Sequence, residues 1–305
     1  MTAISLQDSM TETLRGYWRD AAGYQRLAYV VAALLFTSGV FHFIVLLVSG
    51  DSWSGDVSFR KPTTFGLSFG VTLATTAWFL TFFAKNRVLG WIAMNLLTVT
   101  ISYEVFAVTL QRWRGVPSHF NNATPFDTVI FALMGTVVAL IGVAIVGLTV
   151  WSFFPMRATP GLAWAIRLGM LLLLVAQYFG TQIIANGTTL LAEGSPGPFN
   201  IFGEAGVMKL PHFFAMHAVQ VLPILAWLLG FTRWPQGRVV ALVIVATAGY
   251  TALLAVTAVQ MFSGLAPLAL TTPSIILFVA GLLALIGSGV AMLGALAREA
   301  RPTAA

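Results

Sequence analysis

Four histidines and one glutamate stand out as residues with reactive side chains in apolar surroundings. His42, His212 and His217 lie in long apolar segments, and His119 lies in a polar stretch. Glu104 is the only acidic residue well inside an apolar segment. Imidazole and carboxylate groups bind metal ions and transfer protons. Ionisable groups inside a membrane are costly and usually mark a pathway, a relay or a ligand site.

Four basic residues accompany this set, namely Arg60, Lys61, Arg112 and Arg114. Guanidinium groups bind carboxylates and phosphates well. These residues are therefore predicted to hold an anionic ligand, such as a phospholipid head, a phosphorylated lipid or the propionates of a haem. The alternative is that they reach toward lipid headgroups while their stems stay in apolar surroundings. Arg112 could also pair with Glu104, two helical turns away.

The elements that position these residues are predicted to be transmembrane helices. Of 305 residues, 58% are hydrophobic and 9% are charged, whereas a soluble domain carries about 25% charged residues. A span needs roughly 20 mostly apolar residues, and only helices satisfy the backbone of such runs in lipid. We therefore predict an all-α integral membrane protein with about eight spans. The runs are 25–50, 62–84, 88–110, 126–154, 162–185, 211–231, 239–262 and 272–296, and a Gly/Pro-rich loop covers 186–209.

The charge and cysteine content exclude several classes of protein. The net charge is +6, but the basic residues lie mostly between apolar runs, where they set topology, so nucleic acid is not an expected partner. The chain has no cysteine, which excludes disulfides, thiolate metal sites and thiol catalysis. Lys and Arg are more numerous on the side of the termini, which predicts that both termini are cytoplasmic.

The segments outside the spans and the two halves of the chain have their own patterns. In residues 1–24, apolar residues recur every fourth position from Leu6 to Trp18, which predicts a helix in the membrane interface or, alternatively, a frayed tail. Residues 25–155 and 156–298 are predicted to be parallel four-helix repeats, followed by a tail at 299–305. Five residues of the first half are identical to the residues 149 positions later in the second half. They are Pro62, Phe65, Ala77, Trp78 and Gln111, which correspond to Pro211, Phe214, Ala226, Trp227 and Gln260.

The predicted topology places all four histidines and Glu104 in the extracytoplasmic half. At 1.5 Å per residue, His42, Glu104 and His217 lie roughly 10 Å below the outer boundary. The leading hypothesis is a membrane redox protein that binds one haem b or a related cofactor in a shared pocket. His42 and His217 would be the metal ligands, with His212 nearby. Glu104 and His119 are the candidate catalytic residues.

Other functions are compatible with the same residues. Three histidines with Glu104 or Asp127 could bind zinc in an enzyme that acts on a lipid. Two parallel repeats also suit a transporter or a receptor for a small or anionic ligand. An assembly role is the remaining alternative. Membrane lipid and a quinone or another redox protein are the expected partners.

Three motifs resemble those of a bacterial family of multi-pass membrane proteins. Lys61-Pro62-x-x-Phe65 begins the second span, the segment 118–127 reads SHFNNATPFD, and His212 and His217 form a pair in the sixth span. The resemblance covers most of the chain and implies architecture and site location, but no activity. The predicted pair of bundles also resembles haem A synthase, which has paired histidines in both bundles. Here Gln177 and Ser68 stand at the counterpart positions, so one bis-histidine haem at most is expected.

Overall fold

The structure, a computed structural model, describes residues 5–195 and 197–300. Within these ranges the chain forms nine α-helices and one two-stranded antiparallel sheet, which confirms the predicted all-α architecture. The elements are α1 (Leu6–Arg19), α2 (Gly23–Ser49), α3 (Arg60–Phe79), α4 (Arg87–Trp113), α5 (Pro125–Ser152), α6 (Pro160–Ala192), β1 (Ile201–Phe202), β2 (Gly206–Val207), α7 (Lys209–Leu229), α8 (Gln236–Phe262) and α9 (Thr272–Glu299).

Seven helices in the described part of the chain, α2 and α4 to α9, are long and apolar enough to cross a membrane. Many of their large apolar side chains are exposed, and in α9 only 11% of the most apolar window is buried. An apolar surface of this extent is typical of a protein surrounded by lipid. The chain therefore has the properties of a multi-pass membrane protein.

Helix α3 differs from the other long helices because hydroxyl residues interrupt its apolar sequence. Thr63 and Thr76 donate hydrogen bonds to the carbonyls of Phe59 and Thr72, at 2.8 and 3.0 Å. These bonds satisfy the hydroxyls within the helix. The segment predicted as the second span is thus helical, but it is less apolar than the seven candidate spans.

Helix α6 is longer than predicted. Its span was expected to end at residue 185, yet the helix continues to Ala192. The segment after Gly187 holds threonine, leucine and alanine, and the next glycine, Gly194, has a φ of 72°. Since no proline or second glycine interrupts the chain before that point, the helix continues through the first part of the predicted loop.

The chain divides into two compact units, and the first comprises Ala21–Val150 with Gly187–Pro198. In this unit α2 and α3 pack closely through small residues. A Cβ added to Gly66 would lie 2.7 Å from the backbone nitrogen of Gly39, and one added to Gly70 would lie 2.9 Å from the Ala32 carbonyl. The Gly66-x-x-x-Gly70 sequence thus forms a close helix contact, as such motifs do in membranes.

The second unit holds α1, most of α6 and α7 to α9. Helices α8 and α9 meet at Gly249 and Gly281, where a Cβ on Gly281 would lie 2.9 Å from the Gly249 carbonyl. Tyr17 of α1 accepts a 2.8 Å hydrogen bond from the indole N–H of Trp227 in α7. The described part of the N-terminal segment is therefore a docked helix rather than a frayed tail.

The ends of α4 and α8 have the same structure. Both bounds of α8 lie 149 residues after those of α4, and the glycines that follow, Gly115 and Gly264, have φ of 74° and 65°. Glycine adopts this left-handed conformation without steric cost, and it closes helices in this way. Equivalent backbone hydrogen bonds close both helices. After α4, the N–H groups of Arg114 and Val116 donate to the carbonyls of Leu110 and Gln111. After α8, the N–H groups of Ser263 and Leu265 donate to the carbonyls of Val259 and Gln260.

Candidate functional site

His42 uses both of its ring nitrogens within the first unit. Its Nδ1 lies 2.7 Å from the carbonyl of Ser38, and its Nε2 accepts a 3.1 Å hydrogen bond from Trp113 Nε1. Because an indole N–H only donates, Nε2 is the acceptor and Nδ1 carries the hydrogen that Ser38 accepts. The residue is 3% exposed. His42 is thus a satisfied buried histidine that ties α2 to the end of α4.

An aromatic–arginine cluster, formed by His42, Asp51, Phe59, Arg112 and Trp113, surrounds this bond. The His42 ring stacks on Phe59 with centroids 6.1 Å apart, and the guanidinium of Arg112 lies 3.7 Å from the Phe59 centroid. Arg112 Nη2 also lies 3.2 Å from Asp51 Oδ2. The Phe59 backbone N–H and the Arg112 guanidinium hold the pKa of Asp51 below its usual value. Arg112 therefore pairs with Asp51, and the alternative that it pairs with Glu104 is wrong.

Arg60 and Lys61 contact the loop that joins α2 to α3. Arg60 Nε donates a 2.8 Å hydrogen bond to the Trp53 carbonyl, and Lys61 Nζ lies 3.9 Å from Asp56 Oδ1. In these positions the two basic residues hold the loop against the first turn of α3. Their predicted role in binding an anionic ligand stays a prediction.

Arg114 belongs to a polar network at the start of α5. It contacts Asp127 Oδ1 at 2.5 Å and also donates to the side chain of Gln111. Gln111 donates a 2.9 Å hydrogen bond to the same carboxylate, and Thr124 donates one of 2.6 Å to Asp127 Oδ2. Asp127 is 2% exposed. Both of its oxygens are occupied, so the network fixes the loop between α4 and α5.

Glu104 has the opposite environment. The residue is 1% exposed, and within the described ranges neither carboxyl oxygen has a hydrogen-bond partner. Its helical neighbours Ile101 and Val108 are buried and apolar. Thr100, on the same face, donates its hydroxyl to the Leu96 carbonyl at 2.6 Å. The carboxyl group is thus enclosed without the hydrogen bonds that a structural role would provide.

His119 packs in an aromatic environment in the same unit. Its Nδ1 lies 2.9 Å from Ser118 Oγ, and its ring centroid lies 5.9 Å from that of Phe65. The neighbouring Phe120 has a φ of 57°, and its ring occupies the space where a side chain on Gly187 would lie. Gly187 therefore allows α6 to approach this segment closely.

The two histidines of α7, in the second unit, have different partners. His212 Nδ1 lies 2.8 Å from the Ala176 carbonyl of α6. His217 Nδ1 lies 3.3 Å from Gln220 Oε1, and its ring contacts Phe213 with centroids 4.5 Å apart. Five residues of regular helix separate the two rings by about 140°, which explains why they do not share a partner.

The described residues contain no ready-made group of three metal ligands. In the part of the chain that the structure describes, no three His, Asp or Glu residues are grouped to hold a metal ion. Iron ligation by His42 would require the loss of its bond to Trp113 or Ser38. His42, Glu104 and His119 belong to one unit, and His212 and His217 belong to the other. The predicted shared pocket stays a prediction.

Several residues with defined roles were missed by sequence reasoning. Trp113 is the partner of His42, Asp51 is the partner of Arg112, and Thr124 is a partner of Asp127. Trp113 stands between two arginines that were both singled out, but a tryptophan at a helix end is equally typical of the membrane interface.

Comparisons of the chain with protein-family models, with curated proteins and with solved structures return no match.

Proposed function

We propose that the protein is a multi-pass membrane transporter for a small ligand, in which Glu104 binds the transported or coupled cation. The observation that carries this proposal is the enclosed carboxyl of Glu104, which has no hydrogen-bond partner in residues 5–195 and 197–300. Transport was one of the functions compatible with the sequence, and the environment of Glu104 favours it over the others.

The argument rests on the cost of burying a carboxyl group. An ionised carboxylate without a partner is expensive in an apolar environment, so such a group takes up a cation or becomes neutral. A purely structural glutamate would lower this cost through hydrogen bonds, as Asp127 does with Gln111, Arg114 and Thr124. Glu104 lacks these bonds in the described residues, so binding of a cation would offset the cost of its burial.

The repetition within the chain supports the same class of function. The matching bounds and matching ends of α4 and α8 favour a duplicated four-helix unit. We infer that α3 crosses the membrane with α2 and α4, which completes eight spans, and that both termini are cytoplasmic in a bacterial inner membrane. Two related halves are a common scaffold for transporters. Leu253 stands where the repeat places the counterpart of Glu104, so each chain would carry one such carboxyl.

The haem hypothesis stays a prediction with a simple test. An absorbance spectrum of the purified protein, reduced minus oxidised, would show a Soret band if a haem were bound. Zinc analysis of the same preparation tests the lipid-enzyme alternative.

The transport proposal is tested by electrical measurements on reconstituted protein. Proteoliposomes on a solid-supported membrane are exposed to jumps in proton, Na⁺ or K⁺ concentration, and the charge displaced within the membrane is recorded. We expect one of these cations to displace charge in the wild type. Glu104→Gln should abolish the signal, because the amide is similar in shape but cannot ionise.

Glu193→Gln is the matched control, since it makes the same chemical change at an exposed position after α6. This variant should keep the wild-type signal. The proposal is wrong if no cation displaces charge in the wild type, or if Glu104→Gln leaves the signal unchanged.

A further inference from the structure

We infer that the cation that binds Glu104 is a proton, and that the site alternates between a carboxylate and a neutral carboxylic acid. This inference rests on the proposed transport function and names the ion. Binding forms an O–H bond at one carboxyl oxygen of Glu104 and takes the proton from water, and release reverses this step. No electron is transferred, and no further reactant is needed.

The first observation concerns the ligands that a metal ion would need at Glu104. A bound Ca²⁺ takes about six to eight oxygen ligands, and Mg²⁺ about six. Within the described residues, neither carboxyl oxygen of Glu104 has a hydrogen-bond partner. The described residues also contain no group of three His, Asp or Glu side chains that could hold a metal ion. A proton needs one oxygen, which Glu104 supplies.

The second observation concerns the nearest oxygen on the same helical face. Thr100 is buried one turn before Glu104, but its hydroxyl is directed to the carbonyls of Leu96 and Leu97. The carbonyls of the surrounding helix accept backbone hydrogen bonds as part of α4. Both kinds of oxygen are thus already used in hydrogen bonds within α4.

The third observation concerns the titratable groups on the helices that pack around Glu104. Among the described residues none of the following titratable side chains hydrogen-bonds Glu104. In the elements that pack together in this unit they are Tyr24, Arg26, Tyr29 and His42 on α2, Arg60 and Lys61 on α3, Arg87, Tyr103 and Arg112 on α4, and Asp127 on α5.

Several of these groups have partners at the ends of the helices. His42 binds Ser38 and Trp113, and Asp127 binds the network at the start of α5. Lys61 and Arg112 face Asp56 and Asp51. Because no fixed cation is paired with the Glu104 carboxylate, the neutral acid is the form that this enclosed environment favours.

The test is infrared difference spectroscopy of the protein in lipid nanodiscs during pH jumps, without Na⁺. We expect the C=O stretch of a carboxylic acid to appear as the pH falls and to shift in D₂O. The band should be missing in Glu104→Gln and present in the control Glu193→Gln. In Glu104→Asp, which keeps an acid at the position, the band should return at a shifted frequency.

The electrical measurements separate this inference from the transport proposal. If proton jumps displace charge and Na⁺ or K⁺ jumps do not, the proton is identified. If Na⁺ or K⁺ displaces charge in a Glu104-dependent way and no carboxylic acid band appears, the transport proposal is supported. The identification of the cation as a proton is then wrong. If the band is present at every pH, or persists in Glu104→Gln, the inference fails. If no cation displaces charge, the transport proposal itself fails.

Discussion

At the scale of single residues, the candidate site residues differ in their hydrogen-bond partners, although the sequence alone treated them as one set. His42, His212 and His217 each bond to a neighbouring carbonyl or side chain. Arg112 and Arg114 each face a carboxylate. Glu104, within the described ranges, has neither kind of partner. A residue type shows which chemistry is available, whereas the surrounding contacts show whether that chemistry is already used to hold the fold.

The bond between Trp113 and His42 is predicted to stabilise the first unit. Trp113→Phe keeps the aromatic packing but removes the N–H that His42 Nε2 accepts. A buried acceptor without a partner costs about 1–3 kcal/mol. The variant should therefore have a lower melting temperature in detergent than the wild type, measured by intrinsic fluorescence or by the exposure of apolar surface to a dye.

Trp53→Phe is the control for this change, because Trp53 is 54% exposed in the loop between α2 and α3. Its melting temperature should match that of the wild type. Equal melting temperatures for Trp113→Phe and Trp53→Phe would show that the indole bond contributes little to stability.

At the scale of elements, α4 supplies most of the candidate site. Thr100, Glu104 and Gln111 lie on one of its faces, and its last turn contributes Arg112 and Trp113. Helix α4 packs against α2 and α3, which are themselves in close contact at Gly39 and Gly66. The position of Glu104 therefore depends on small residues in the two neighbouring helices, α2 and α3.

The close contact between α2 and α3 predicts that a Gly→Ala substitution at Gly66 lowers stability, whereas the same substitution at Gly142 does not. In Gly66→Ala the added methyl group would lie within 2.8 Å of the α2 backbone, which cannot move away as a side chain could. Overpacking of this kind costs about 1–3 kcal/mol. We expect less monodisperse protein on size-exclusion chromatography and a lower melting temperature.

In Gly142→Ala, on α5, the methyl group would enter open space. Since alanine favours a helix over glycine by up to about 1 kcal/mol, this variant should be as stable as the wild type or more stable. If both variants lose the same stability, helix contact at Gly66 is not the reason for the loss.

At the scale of the whole chain, the two halves share helix ends but not charged groups. Gln111 and Gln260 occupy equivalent positions after the offset of 149, and both are buried. Arg114 donates to Gln111, whereas Ser263 stands at the equivalent position, and Oε1 of Gln260 has no partner in the described part of the chain. The half with α2 to α5 is the one that carries the buried charged network and Glu104.

The predicted topology can be measured by cysteine labelling, because the chain has no cysteine of its own. Ser54→Cys lies in the loop between α2 and α3, and Thr159→Cys lies just before α6. Both positions are exposed. If both termini are cytoplasmic, an impermeant maleimide should label Ser54→Cys in intact cells. It should label Thr159→Cys only after the cells are permeabilised.

The cysteine-free parent protein controls for background labelling. Three helices, α3, α4 and α5, lie between the two positions. Labelling of both positions from outside would contradict this odd number of crossings, and the reversed pattern would contradict cytoplasmic termini.

The sequence alone determined that this chain is a helical membrane protein, and it located most of the helices. These features depend on local composition, because runs of apolar residues must form helices in lipid. It also identified Glu104 as the only acidic residue well inside an apolar segment.

Only the tertiary structure decided which reactive groups are already occupied. Trp113 lies 71 residues from His42 along the chain, and Asp51 lies 61 residues from Arg112. Gln111 and Arg114 lie 16 and 13 residues from Asp127. Such bonds depend on how helices pack and on how loops return, which residue spacing within one helix does not specify. For the same reason the sequence could not distinguish Asp127, whose oxygens are filled, from Glu104, whose oxygens have no partner in the described residues.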